Sequence, residues 1–173
     1  MIYVSRIIFA GLVALAPLAG ISQEKSTATG CDKITVDDRG WTSLHEAARY
    51  NPDPDCIAKL VSAGANVNAK DKSGDTPLLW AAAENSNIEV VTLLIELGAD
   101  VNAVDKFGWL PLHAAAERSS NPDVIAALLQ AGSKTRRRAY YVLFSPKFLL
   151  KRNDNMSETD KKVALALLEE ANE

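Results

Sequence analysis

Histidine and cysteine are scarce: the 173 residues include two of each, His45 and His113, Cys31 and Cys56. Two thiols cannot form a four-thiolate zinc site or a disulfide-dense small scaffold. There is no Gly-x-Ser-x-Gly, no His-Glu-x-x-His, no Cys-x-x-Cys and no phosphate-binding glycine loop, so the familiar enzyme signatures are missing. No apolar run reaches the roughly 20 residues needed to cross a bilayer. Disorder is excluded as well, because 47% of residues are hydrophobic and only 24% are charged. The length suits one domain with a real core. What the chain has in quantity is alanine and leucine, 26 and 20 copies, which are strong helix formers.

The amino-terminal segment reads as a targeting signal. A single base, Arg6, precedes the apolar run Ile7–Ala16, Pro17 breaks it, and small residues lead to Ser22. A short positive region, a brief apolar stretch and a small-residue exit describe a secretory signal peptide over 1–22. Ile21 rather than a cysteine stands directly after Gly20, which argues against a lipid-anchored thiol. Removing 1–22 takes away one arginine and no acid, leaving 18 bases against 22 acids. The expected location is outside the cytoplasm.

An internal repeat sets the fold. Gly40, Gly74 and Gly108 are 34 residues apart, and Gly64, Gly98 and Gly132 keep the same interval. Between them, Trp41-Thr42-Ser43-Leu44-His45-Glu46-Ala47-Ala48 aligns with 75–82 and 109–116. Pro77 and Pro111 fit a first helical turn, where a missing N–H costs nothing. Asp53, Asn87 and Asn121 read as caps of a second helix. That helix carries Ile57/Leu60/Val61, then Val91/Leu94/Ile95, then Ile125/Leu128/Leu129. The glycines at 64, 98 and 132 end it. An extended Val-Asn-Ala stretch and an Asp-x-x-Gly turn lead onward. One such pair cannot bury its stripe alone, so neighbours must stack.

These stretches resemble ankyrin repeats over 37–135. The resemblance implies an all-α solenoid of stacked helix pairs joined by β-turns, with copies at 37–70, 71–104 and 105–135. The 34-residue period exceeds the family's usual 33 by one residue in the loop between helices. Asn51-Pro52-Asp53-Pro54-Asp55 and Asn121-Pro122-Asp123-Val124-Ile125 look like a bacterial variant, which for an exported chain implies the bacterial periplasm. Ser43 departs from the proline slot, Leu79 from the histidine slot and Leu110 from the threonine slot. Residues 23–36 read as an irregular leader, and 136–173 as a degenerate capping repeat that loses the turn glycine at Val142. In that cap, Ser145-Pro146 and Ser157-x-x-Asp160 mark helix starts, the last helix carrying Val163, Ala164, Leu167 and Leu168.

The resemblance also implies a non-catalytic module that binds a protein partner through its turn tips and first-helix groove, without a cofactor or metal. The corresponding slots are Asp38, Arg39, Trp41, Arg49 and Tyr50 in copy one. Copy two supplies Lys72, Ser73, Asp75 and Glu84; copy three supplies Lys106, Phe107, Trp109, Glu117 and Arg118. Trp, Tyr and Arg dominate binding hot spots; the alternative for Trp41 and Trp109 is that they fold back on neighbouring turns. Trp80, inside a helix, is read as packing between repeats. His45 and His113 share one slot, which the family uses structurally. An enzyme would need one of them beside a carboxylate in an open pocket.

Cys31 and Cys56 survive export, where disulfides persist, and are expected to bridge the leader to copy one; two buried thiols are the alternative. Lys134, Arg136, Arg137, Arg138, Lys147, Lys151 and Arg152 form a basic run without an acid. It reads as a solvated rim, or as a surface for an acidic protein or anionic lipid. Tyr140, Tyr141, Phe144 and Phe148 interleave with it and are expected to pack the last repeat, and export argues against nucleic acid. Asn155-Met156-Ser157 is a glycosylation sequon, a weak pointer to a eukaryotic route. A monomer is expected. As an inhibitor, the module would be an immunity-type protein facing an envelope-acting toxin; as an accessory, it would support a periplasmic enzyme.

Overall fold

The computed structural model describes residues 31–135 and 145–171. Among them are eight α-helices: α1 Ser43–Tyr50, α2 Pro54–Ser62, α3 Pro77–Glu84, α4 Ile88–Glu96, α5 Pro111–Arg118, α6 Pro122–Gln130, α7 Pro146–Lys151 and α8 Glu158–Glu170. Their starts are set by local chemistry. Thr42 Oγ1 accepts the His45 N–H at 3.3 Å, and His45 Nδ1 accepts the Thr42 N–H at 3.1 Å. This is a reciprocal capping box with histidine in the role of Glu or Gln. The departures in the other copies each remove one half. Thr76 Oγ1 still accepts the Leu79 N–H at 3.3 Å, but leucine has nothing to return. Leu110 has no side-chain acceptor, so only its N–H to His113 Nδ1 remains, at 3.3 Å.

The second helices begin on Asp53, Asn87 and Asn121, whose side chains accept the N–H two residues on at 2.9–3.0 Å. They end in a shared motif. In α2 the Gly64 N–H donates to Val61 and the Ala65 N–H to Leu60, both at 2.9 Å. Gly64 adopts φ +100°, which a residue with a Cβ rarely takes. The Val-Asn-Ala stretch expected to be extended is instead a turn, closed by Ala69 N–H to the Asn66 carbonyl at 3.1 Å. Asn66 Oδ1 takes the Asn68 N–H at 2.9 Å and bends the chain.

First helices stack as one layer, α1, α3, α5, α7; second helices stack as another, α2, α4, α6, α8. The core lies between, with Leu44, Ile57, Leu60, Leu78, Leu94, Leu112, Ile125, Leu128, Leu150 and Leu168 almost wholly buried. Each such burial is worth about 1.5–3 kcal/mol. Alanines 47, 48, 81, 82, 115 and 116 are buried where first helices approach.

Asparagines fasten the repeats to one another. Asn85 Nδ2 donates to the Ala48 and Asn51 carbonyls at 2.8 and 2.9 Å. Asn153 Nδ2 does the same to Ser119 at 2.7 Å, 68 residues further along. On the opposite edge Asn68 Nδ2 donates to Gly98 at 3.0 Å and Asn102 Nδ2 to Gly132 at 3.1 Å. The extra residue of the 34-residue period therefore lies in a loop that joins neighbouring repeats.

The last pair forms where the caps predicted, on Ser145 and Ser157. Its buried stripe differs from expectation. Ala164 and Leu168 are buried and Leu165 packs on the core, but Val163 is 50% exposed. A face at i, i+1, i+4 turns residue 163 away. Phe148, expected inside, is 40% exposed because Leu149 and Leu150 take the buried side of α7. Tyr140, Tyr141, Val142, Phe144 and the segment 1–22 lie outside the described residues.

Candidate functional site

The turn tips form a row. Asp37, Asp71 and Asp105 each turn Oδ1 onto two backbone N–H groups, two and four residues on, at 2.7–3.0 Å. The tips bond to one another through Lys72 N–H to Arg39 at 2.7 Å and Lys106 N–H to Ser73 at 2.9 Å. This closeness needs glycine: Gly74 has φ +86°, and a Cβ there would sit 3.1 Å from the Lys106 nitrogen. The side chains of Asp38, Arg39, Lys72, Ser73, Lys106 and Phe107 are left pointing outward and exposed.

Between the first two tips and α1 and α3 lies a groove of about 440 Å³, lined by Arg39, Trp41, Glu46, Arg49, Tyr50, Asp71, Lys72, Ser73, Asp75 and Trp80. Trp41 stacks on His45 with centroids 5.2 Å apart and meets Trp80 edge to face at the same distance. Its Nε1 donates to Glu46 at 3.0 Å. The Arg49 guanidinium lies 4.2 Å from the Trp80 ring and 4.7 Å from that of Tyr50. It also holds Glu84 by two bonds, at 2.5 and 3.0 Å. Glu84 pairs with Arg118 as well, so one charged line crosses three repeats.

A second hollow of about 470 Å³ lies beside this line, bounded by Ala83, Glu84, Asn85, Arg118, Ser119, Ser120 and Asn155. Trp109 is half-buried over Leu79, Ala83 and Ala114 and borders neither hollow. Glu117 is exposed.

Burial and the neighbouring Asp71 and Asp105 carboxylates push the Asp75 carboxyl up to about 6. Burial holds the His45 imidazole below its ordinary value, against the opposing pull of its bond to Asp75 and nearby carboxylates. His45 Nε2 lies 3.1 Å from the Asp75 carbonyl, which can only accept, so Nε2 carries the proton. Both histidines are fully buried. Each ring serves its own helix start, and neither opens to a groove with a carboxylate beside it.

A family model described as ankyrin repeats (3 copies) matches residues 44–139. The chain belongs to the ankyrin-repeat family. Comparison with curated proteins found no match. Ankyrin-repeat domains are typically non-catalytic modules that bind proteins. In this ankyrin stack, Arg39, Trp41, Arg49, Tyr50, Lys72, Ser73 and Asp75 meet in one groove, whereas Glu84 and Arg118 border the other. Trp80 makes the expected contact between repeats, yet it also forms the groove wall. Its alignment with Glu46, on the exposed side of α1, was the available signal.

The bridge between Cys31 and Cys56 is formed, with Cα atoms 5.0 Å apart. Of the basic run, Lys147 is engaged with Glu169 at 2.5 Å, and this bond holds the Glu169 carboxyl below its ordinary value. Lys134, Lys151 and Arg152 are exposed; Arg136, Arg137 and Arg138 lie outside the described residues. Among the described residues no three His, Cys, Asp or Glu side chains gather as metal ligands, and no helix is long and apolar enough to cross a membrane.

Proposed function

We propose that this ankyrin protein is exported on a signal peptide over 1–22 and binds a protein partner through its turn tips and first-helix groove, without catalysis. The observation that carries this is Arg49, fixed between the Tyr50 and Trp80 rings and clamped by Glu84. A rigid Arg–Trp–Tyr cluster loses little freedom on binding, and these are the side chains that dominate hot spots. The tips extend the surface with Arg39, Lys72, Lys106 and Phe107. In this reading the working protein comprises a leader over 23–36, repeats over 37–135 of the bacterial 34-residue type, and a cap over 136–173. The disulfide favours an oxidising compartment, and the periplasm is the setting proposed. There the module acts as a monomer, as an immunity-type inhibitor of an envelope-acting toxin or as an accessory to a periplasmic enzyme.

The test is co-purification from the native envelope fraction, comparing wild type with the double variant Trp41→Ala, Arg49→Ala. A specific partner that the double variant retains at full strength would refute the surface. The basic run 134–152 supports a second reading, attachment to anionic membrane. It predicts binding to anionic vesicles at low salt that fades as salt screens the charges, and that reversing Arg136–Arg138 abolishes. No binding at low salt would remove it.

A further inference from the structure

The Cys31–Cys56 bridge joins two positions that recur along the stack. Gly30, Gly64, Gly98 and Gly132 share the 34-residue interval, so Cys31 falls on the slot of Ala65 and Ala99. Cys56 falls on the slot of Val90 and Val124, and each such Ala–Val pair is separated by 25 residues, as the bridge is. At the inner junctions these slots are packed: Val90 and Val124 are buried, Ala99 is 8% exposed and Ala65 packs on the core. Cys31 packs on the same core. At residue 31 the chain therefore takes the place that an alanine fills in the closing loops of the inner repeats.

Polar contacts that the inner repeats lack add to the bridge. Pro77 and Pro111 have neither N–H nor hydroxyl, but Ser43 in their slot uses both. Its N–H donates to the Thr35 carbonyl at 3.1 Å. Its hydroxyl donates to the Lys33 carbonyl at 2.7 Å and accepts the Thr35 N–H at 2.8 Å. Asn85 grips the repeat before it; its counterpart Asn51 reaches Cys31 Sγ at 3.5 Å. Val36 and Thr42 add an antiparallel bridge. Yet Ile34 and Val36 are 41% and 65% exposed, so burial alone holds this arm weakly.

We propose that residues 31–36 are a disulfide-fastened cap on the first repeat that holds α1, and with it Trp41 and Arg49, in the geometry of the groove. Its importance for binding rests on the function proposed above; the cap itself does not. Reduction by a dithiol would transfer two electrons and two protons to the bridge, giving two thiols while the dithiol closes to its own disulfide. Attack falls on the half-buried Cys31 sulfur, since Cys56 is 1% exposed. It would expel the Cys56 thiolate into an apolar slot, where charge is disfavoured. The folded cap thus resists reduction, and a chain kept reduced has an open end.

Hydrogen exchange on the full chain tests this by comparing the oxidised protein with the double variant Cys31→Ser, Cys56→Val. Valine is what the slot holds in the inner repeats. Amides of α1 and α2 should exchange roughly tenfold faster or more, while those of α5 and α6 change less than about twofold. Unchanged exchange in α1 and α2, or uniform loosening of all helices, would overturn the cap. Ser43→Pro, which keeps the bridge, should raise exchange over α1 by a smaller factor; no rise would overturn the role given to Ser43. In the double-variant background, Ala65→Cys with Val90→Cys should form a bridge in air, and failure would overturn the equivalence of the slots. None of these readouts needs a partner, so lost binding with an intact cap would count against the binding surface alone.

Discussion

Replacing Asn85 by alanine removes one side chain that serves three backbone groups in two repeats. Its Nδ2 donates to the Ala48 and Asn51 carbonyls, and its Oδ1 accepts the Asn87 N–H at 2.9 Å. Asn85 is 7% exposed, and Ala48 is wholly buried near the end of α1, where helix carbonyls lack partners of their own. Stranding the Ala48 carbonyl should cost about 2 kcal/mol, and the bond to the half-buried Asn51 about 1 kcal/mol more. The Asn87 N–H can turn to water and adds little. The expected loss is about 3 kcal/mol, a large share of the 5–15 kcal/mol typical of a domain. Urea unfolding followed by tryptophan fluorescence reads it, because Trp41 and Trp80 flank this junction. Asn85→Asp sharpens the test: at neutral pH a carboxylate would face two carbonyls. Its pKa should rise in the folded state, so that variant should regain stability as pH falls through the raised value. A loss below about 1 kcal/mol for Asn85→Ala, or a pH-independent loss for Asn85→Asp, would refute the role given to this side chain.

Further expectations concern the turn row. The Asp75 carboxyl, raised from 3.8 to about 6, stays protonated in the folded chain after it has ionised in the unfolded one. Stability tied to it is therefore intact below pH 3.8 and lost as pH rises to about 6. Asp75→Asn should stabilise the protein at pH 7 and have no effect near pH 3, as read by melting temperature; equal shifts at both would contradict this. His45 works in the opposite sense: its depressed value means stability present above 6.5 and lost as pH falls below it. Gly74→Ala combines positive φ with a backbone atom 3.1 Å from the new Cβ, whereas Gly64 has nothing within 4 Å. Denaturation should show the Gly74 variant losing more than the 1–2 kcal/mol or so of left-handed strain, and the Gly64 variant losing no more than that. Equal losses would deny the close approach of the tips.

The fold was legible because its periodic residues are those whose chemistry is local. A glycine every 34 residues marks positive φ, and Pro77, Asp53 and Asn121 mark helix starts that neighbours at short range satisfy. The ion-paired line was not legible, since Glu84 meets Arg49 and Arg118 only once repeats stack and side chains run across them. Asn51, Asn85 and Asn153 carry the 34-residue interval, but Ser119 interrupts it, and nothing local in the sequence marks the bonds of Asn85 and Asn153 to neighbouring repeats. In α8, Val163, Ala164, Leu165, Leu167 and Leu168 spread round more than half the helix, so sequence alone left the buried face ambiguous. The slot of Cys31 was present in the interval from Gly30 to Gly64, yet too short a match to stand out before the bridge brought Cys31 beside the alanine slot.

The most direct test of the account is the affinity of a partner recovered from the envelope fraction, measured for the wild type, Arg49→Ala, Trp80→Ala and Glu96→Lys. Arg49 and Trp80 form the groove, whereas Glu96 ends α4 in the second-helix layer. Losses of about 2 kcal/mol, roughly thirtyfold, are expected for each groove variant that remains folded, and less than about threefold for Glu96→Lys. Binding that survives both groove changes but collapses with Glu96→Lys would place the partner on the opposite layer and contradict the account.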